Sequence, residues 1–112
     1  MEIAPRTERK TTEAVDGVHL AQLVVGENMS VQYFRIEPGA EVPEHSHPHE
    51  QTGYVTAGVL TFVVDGEERR VGVDDGYAIP ADEPHAARNE GDELVEGVDI
   101  FSPPRLDVDW SE

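Results

Sequence analysis

The chain contains no cysteine, so disulfides and thiolate metal sites are both excluded, and any metal must be held by nitrogen and oxygen ligands. Lysine is almost absent as well: Lys10 stands alone beside seven arginines. Against these 8 cations stand 24 aspartates and glutamates, a formal net charge of -16. A field of that sign repels nucleic acid and anionic membranes, which removes both as partners. The acids are spread along the whole chain rather than gathered in a tail. Dispersed acid with so little lysine resembles a protein from a salt-in halophile, where high salt screens self-repulsion. Long apolar runs are missing, so no segment is fit to span a bilayer. No basic stretch followed by an apolar one marks a signal peptide, and the expectation is a soluble, cytoplasmic protein.

Helical periodicity is also missing. What is present is one domain's worth of chain, 112 residues, cut by 10 glycines and 8 prolines into short alternating segments. Val18 to Val25, Met29 to Ile36, Gln51 to Thr56, Val59 to Asp65, Glu67 to Val73, Tyr77 to Ile79, His85 to Arg88 and Leu94 to Phe101 read as strands. Asp65-Gly66 between two of them is a hairpin signal. Many short strands at regular spacing predict an all-β sandwich or barrel. Residues 1–17 read as an N-terminal arm with a short extended piece, 18–101 as the barrel, and 102–112 as a tail that packs Leu106 and Trp110 back on the body.

Four of the five histidines fall in two short segments, His45-Ser46-His47-Pro48-His49-Glu50-Gln51 and Pro80-Ala81-Asp82-Glu83-Pro84-His85. Neutral imidazoles concentrated like this suit a divalent transition metal. Residues two apart share a face of a strand, so His45, His47, His49 and Gln51 could all point inward. Pro48 interrupts the ladder and parity is not carried safely past it, which makes His45 and His47 the firmest pair. Gln51 is the next inward candidate and offers a carbonyl oxygen, while His49 and Glu50 compete for the same place. His85 follows a proline-bounded turn from which a neighbouring strand brings it across the lumen. His19, in a strand pattern of its own, reads as an ordinary satisfied histidine, and Asn89 as the residue that fixes a turn.

Two spacings go further. Gly39, His45, His47, Gln51 and Gly58 form one motif, and Pro80, Asp82, His85 and Asn89 a second; together they span nearly half the chain. They resemble the two signature motifs of the cupin superfamily. The resemblance implies a double-stranded β-helix, the cupin or jelly-roll barrel, with one divalent transition metal (Ni, Fe, Zn or Mn) in its mouth on His45, His47, Gln51 and His85. Gln51 stands where many members carry Glu, which leaves the metal site one charge more positive and favours an anionic substrate. Asp74 and Asp82 stand where the motif has Gly, both at turns that Asp tolerates.

His47-Pro48-His49-Glu50-Gln51 with Gly53-Tyr54-Val55, and Asp99-Ile100-Phe101-Ser102-Pro103-Pro104-Arg105 near the end, look closest to the small single-domain cupins of pectin degradation. Those convert 4,5-unsaturated monouronates to linear keto forms. The resemblance implies a small anionic sugar acid as substrate, Asp99 as acid/base, Arg105 against the uronate carboxylate and Phe101 on the sugar face. With parity broken at Pro48, His49 reads as a pocket residue, and Tyr54, which closely follows the metal motif, is expected to reach the lumen. It also implies a homodimer with the N-terminal strand crossing to the partner. Two other classes compete: an iron-dependent dioxygenase, which needs an apolar pocket, and a non-catalytic sugar- or metal-binding module.

Overall fold

Alternation of apolar and polar residues marks most of the ten strands seen in a computed structural model that describes residues 1–106. After one turn of 3-10 helix at Arg6–Glu8 come β1 (Thr12–Val15), β2 (Val18–Val25), β3 (Ser30–Ile36), β4 (Glu41–His45), β5 (Glu50–Ala57), β6 (Leu60–Val64), β7 (Glu67–Val71), β8 (Gly76–Ile79), β9 (His85–Arg88) and β10 (Val95–Ser102). They form a large sheet in the order β1-β2-β3-β10-β5-β8 and a small one in the order β4-β9-β6-β7. All pairings are antiparallel. Among the described residues no helix is long and apolar enough to cross a membrane.

The inward residues of both sheets meet in one core. Val18, Leu20, Phe34, Ile36 and Val95 of the large sheet face Val42, Leu60, Phe62, Val71 and Ala87 of the small one, all buried. Each fully buried aliphatic or aromatic side chain of this kind contributes about 1.5–3 kcal/mol, so the core is what clamps the two sheets together. The clamp also fixes the mouth, because the next inward residues along the same strands are polar.

Turn chemistry agrees with the motifs. Gly39 and Gly58, which bound the first motif, sit at φ 84° and 78°. Asp74 and Asp82, in place of the expected glycines, take the same left-handed region at φ 70° and 65°. Asp is one of the few side chains that visits it, by bonding its own backbone. Asn89 is buried and donates to the carbonyls of Ile36 and Glu93 at 3.0 and 2.7 Å while accepting from the Gly91 amide at 3.0 Å, the turn-fixing role expected of it.

The segments just before β2 and just after β10 are both held against the large sheet. The arm contributes β1, which extends the large sheet, and Arg6 lies 4.8 Å over the Tyr33 ring. At the end of β10 Ser102 Oγ donates to the Asn28 carbonyl at 2.8 Å, and beyond it the chain is tied down through its backbone: the Arg105 amide donates to Ser30 Oγ at 3.0 Å, and Gln22 donates to the Arg105 carbonyl at 2.8 Å. Leu106, expected to pack on the body, is 72% exposed. Apolar patterning marked it as an anchor, whereas side-chain-to-backbone bonds do the anchoring. Trp110 lies outside the described residues.

Candidate functional site

His45 ends β4 and His85 begins β9, and the two are directly opposite in register. That pairing needs an irregularity. Val42 faces Ala87, so three steps along β4 answer two along β9, and the extra residue lies in the Pro43-Glu44 stretch. Strict alternation from the inward Val42 would turn His45 outward; the bulge returns it to the interior. His47 follows in the loop after β4, where its carbonyl accepts from the Asp82 amide at 2.8 Å. The three rings converge, with centroids 4.4 Å (His45–His85), 5.2 Å (His47–His85) and 5.6 Å (His45–His47) apart.

Their tautomers are set by the backbone. Nδ1 of His45 lies 2.8 Å from the Pro43 carbonyl, Nδ1 of His47 3.1 Å from that of His49, and Nδ1 of His85 2.9 Å from that of Glu83. A carbonyl only accepts, so each Nδ1 carries the proton and each Nε2 carries the lone pair. Burial keeps these rings neutral: it is the first cause pushing His45 down to about 4 and lowering His47 and His85, with the Arg105 guanidinium adding to the effect. One ligand atom from each of the three lies within 4.8 Å of the others. A metal-ligating histidine is ordinarily oriented in this way, by a hydrogen bond at its other nitrogen.

Gln51 completes the set from the opposite sheet. Its Oε1 is 3.0 Å from His47 Nε2, while its amide group donates to the Asp99 carboxylate. The carboxylate requires the NH2 end, so the carbonyl oxygen is left facing the imidazole lone pair. Two acceptors facing each other at that distance suit a cation between them. Three imidazoles and an amide oxygen therefore fit a divalent transition metal with coordination positions left open.

Asp99 sits beside this set on β10, buried, with Tyr77 donating its hydroxyl to Oδ1. Burial raises the carboxyl to about 6, against the opposing effects of Tyr77, Gln51 and Arg105. Phe101 lies two residues on, its ring 5.6 Å from His47 and under the Arg105 guanidinium at 5.2 Å. Asp99, Phe101, Arg105, Gln51, His45 and His85 line one pocket, whose inner wall is apolar. A group that can hold a metal, an acid/base near neutrality and a cation thus share a single opening.

Other expected residues lie elsewhere. His49 is half-buried beside His47 and Phe101, at centroid distances of 5.5 and 6.0 Å, and flanks the pocket rather than lining it. Glu50 is exposed and pairs with Ser102. Tyr54, expected in the pocket, is 42% exposed on the outer face, its hydroxyl donating to Asp74 at 2.7 Å. Gln51 faces in, so Tyr54, an odd number of residues along the same strand, faces out. His19 bonds Glu37 at 2.6 Å on the surface. In the sequence Tyr77 stands out only as the start of a strand. The signal that could have singled it out is a strand aromatic with glycine for its cross-strand neighbour.

Residues 32–101 match the Cupin_2 family, the cupin domain. The chain belongs to this family. Among curated cupin relatives it is 41% identical over 69 residues to the polyketide synthase CurC of Streptomyces cyaneus, covering 61% of this chain and 45% of that one. It is 35% identical over 66 residues to the H2HPP isomerase of Bacillus subtilis, covering 58% and 28%. This cupin spans about half the length, or less, of the curated relatives it matches first. Among solved structures, KdgF from Halomonas sp. superposes with a TM-score of 0.82 at 27% identity, covering 95% of this chain and 96% of that one.

Proposed function

We propose that this cupin is a metal-dependent enzyme that opens 4,5-unsaturated monouronates to their linear keto forms. The observation that carries the reading is the shared pocket of Asp99, Phe101 and Arg105 with His45, His85 and Gln51. The end-to-end likeness to KdgF and the Asp99-to-Arg105 segment support it. A divalent metal held by His45, His47, His85 and Gln51 would supply Lewis-acid polarisation of substrate oxygens when bound.

The rest of the chemistry falls to the chain itself. Arg105 pairs the substrate carboxylate, and the Phe101 ring packs against the apolar face of the sugar. Asp99 takes the proton from the anomeric hydroxyl. The ring C–O bond at that carbon then breaks, leaving an aldehyde, and its electron pair passes through the enol ether. Asp99 returns the proton to the enol carbon, and a ketone forms at its neighbour. One proton is moved and no atom is gained or lost. A carboxyl near pH 6 is suited to both halves of this step, since neither protonation state is rare near neutrality. The functional unit proposed is a homodimer: β1 leaves an edge of the large sheet for a second copy to cover, and light scattering in high salt checks it.

The test follows the absorbance of unsaturated galacturonate with and without chelator. Loss of absorbance that stops when metal is stripped and resumes when it is restored supports the reading; no loss with metal bound overturns it.

A second reading rests on the apolar inner wall, where Val18, Leu20, Phe34, Ile36, Val42, Leu60, Phe62 and Ala87 continue the pocket inward. Such a wall favours a substrate with an apolar or aromatic part, as an iron-dependent dioxygenase would take. Oxygen consumption separates the two, because the uronate step uses none. A metal-loaded protein that turns over neither substrate class would be a binding module.

A further inference from the structure

Asp99, Gly53 and Tyr77 form one row across three neighbouring strands: Asp99 of β10 pairs Gly53 of β5, and Gly53 pairs Tyr77 of β8. Cross-strand partners project from the same face, so a side chain at position 53 would stand between the other two. There is none, and the Tyr77 ring uses the gap. A Cβ built on Gly53 would lie 2.1 Å from Tyr77 Cζ and 2.3 Å from its hydroxyl oxygen, inside any real contact. Glycine weakens a strand interior, and where it persists it often marks a close approach of this kind. On its other side the ring is held by Phe62 of the small sheet, centroids 4.8 Å apart. Laid over Gly53 and backed by Phe62, Tyr77 has its hydroxyl aimed at Asp99 Oδ1.

We propose that Tyr77 is the positioning residue for Asp99, and that Gly53 is glycine so that the Tyr77 ring can cross the strand to reach it. Tyr77 and Gln51 then grip the carboxylate with two donors from the strands β8 and β5. This fixes the direction from which Asp99 meets a substrate proton without either donor touching the reacting atoms. The inference rests on Asp99 acting on substrate, and it adds what holds that residue in register. A buried tyrosine that merely satisfies its hydroxyl would affect stability, whereas a positioning tyrosine affects the chemical step.

Two variants perturb the contact in opposite ways. Tyr77→Phe keeps the ring over Gly53 and removes the donor; Gly53→Ala keeps the donor and displaces the ring. On unsaturated galacturonate both are expected to lower kcat roughly 10- to 100-fold while KM stays within about threefold and bound metal matches the wild type. Tyr77→Phe with kcat within about twofold of wild type overturns the proposal. Loss of metal together with turnover in Tyr77→Phe overturns it too, since the tyrosine would then be supporting the whole mouth. A readout without substrate keeps the uronate reading separate: the side-chain carboxyl 13C resonance of Asp99 in the zinc-loaded protein is expected to move in both variants. An unmoved resonance overturns the positioning role whatever the substrate. A moved resonance in a protein that does not open uronates supports the positioning role and sinks only the uronate reading.

Discussion

The small sheet and the large sheet bring different chemistry to the same mouth. From the small sheet and the loop leaving it come the imidazoles: His45 at the end of β4, His85 at the start of β9, and His47 just beyond β4. From the large sheet come the groups that can handle a proton and a carboxylate: Asp99 on β10, Tyr77 on β8, and Arg105 beyond β10. Gln51 on β5 belongs to both sets, with its oxygen toward His47 and its NH2 toward Asp99. If this division holds, damage to one sheet's groups should look different from damage to the other's. His85→Ala is expected to have the largest effect. It should lower metal content per chain and reduce turnover by about 1,000-fold, the equivalent of about 4 kcal/mol of lost transition-state stabilisation. Metal analysis beside steady-state kinetics checks this. Retained metal with lost turnover would break the comparison at its first term.

Asp99→Asn probes the other side. The amide keeps the volume and still accepts from Tyr77, but it cannot hold the proton. Metal content should match the wild type, and kcat should fall roughly 100-fold, within the range ascribed to positioned proton transfer. A wild-type rate in this variant would remove Asp99 from the chemistry and leave the large sheet with only a binding role.

The two sheets were not equally legible in the sequence. In the large sheet, alternation located β2 at Val18–Val25 and placed β3 and β10 within a residue at each end, because one face is buried along each. The same rule found β9 at His85–Arg88 in the small sheet. It missed β4 altogether: Pro43 and the preceding Glu37-Pro38-Gly39-Ala40 look like a break, and the bulge that turns His45 inward follows no period. A ligand set could still be named because the spacing from His45 to Gln51 is local enough to show its resemblance to the cupin motif. Tyr77 escaped notice because its meaning depends on Gly53 and Asp99, brought beside it only by sheet register. Tyr54 was misplaced by the reverse error, nearness in sequence to Gln51 being taken for nearness in space.

Acid should also tell the sheets apart, by a smaller margin. In the metal-free protein His45 is held at about 4 and His47, His49 and His85 are lowered as well, against an ordinary value of 6.5. The folded chain then binds fewer protons at these rings than the unfolded one as pH falls below 6.5, down to about 4 for His45, so stability falls as pH falls through that window. Asp99 acts the other way. Raised from 3.8 to about 6, it binds more protons when folded, and stability rises as pH falls through that interval. Four imidazoles outweigh one carboxyl, and the unfolding midpoint is expected to drop by about 5 °C between pH 7 and 5. Asp99→Asn removes the opposing group and should steepen the drop. Differential scanning fluorimetry after chelation reads both slopes, and a midpoint that does not fall would mean the rings are protonated in the fold.

The smallest effect sharpens the comparison within a single strand. Tyr54 is only three residues from Gln51 on β5, yet the strand's period puts it on the outer face, bonded to Asp74 rather than to anything in the mouth. An exposed hydroxyl–carboxylate bond of this kind contributes little, since water replaces either partner readily. Tyr54→Phe is therefore expected to leave metal content unchanged and kcat/KM within about twofold of wild type, with a midpoint lower by a few degrees at most. A large kinetic loss in this variant would mean that the outer face of the large sheet reaches the chemistry, through a partner subunit or a register other than Gln51 inward. The division between the sheets would then have to be redrawn around which face each residue presents.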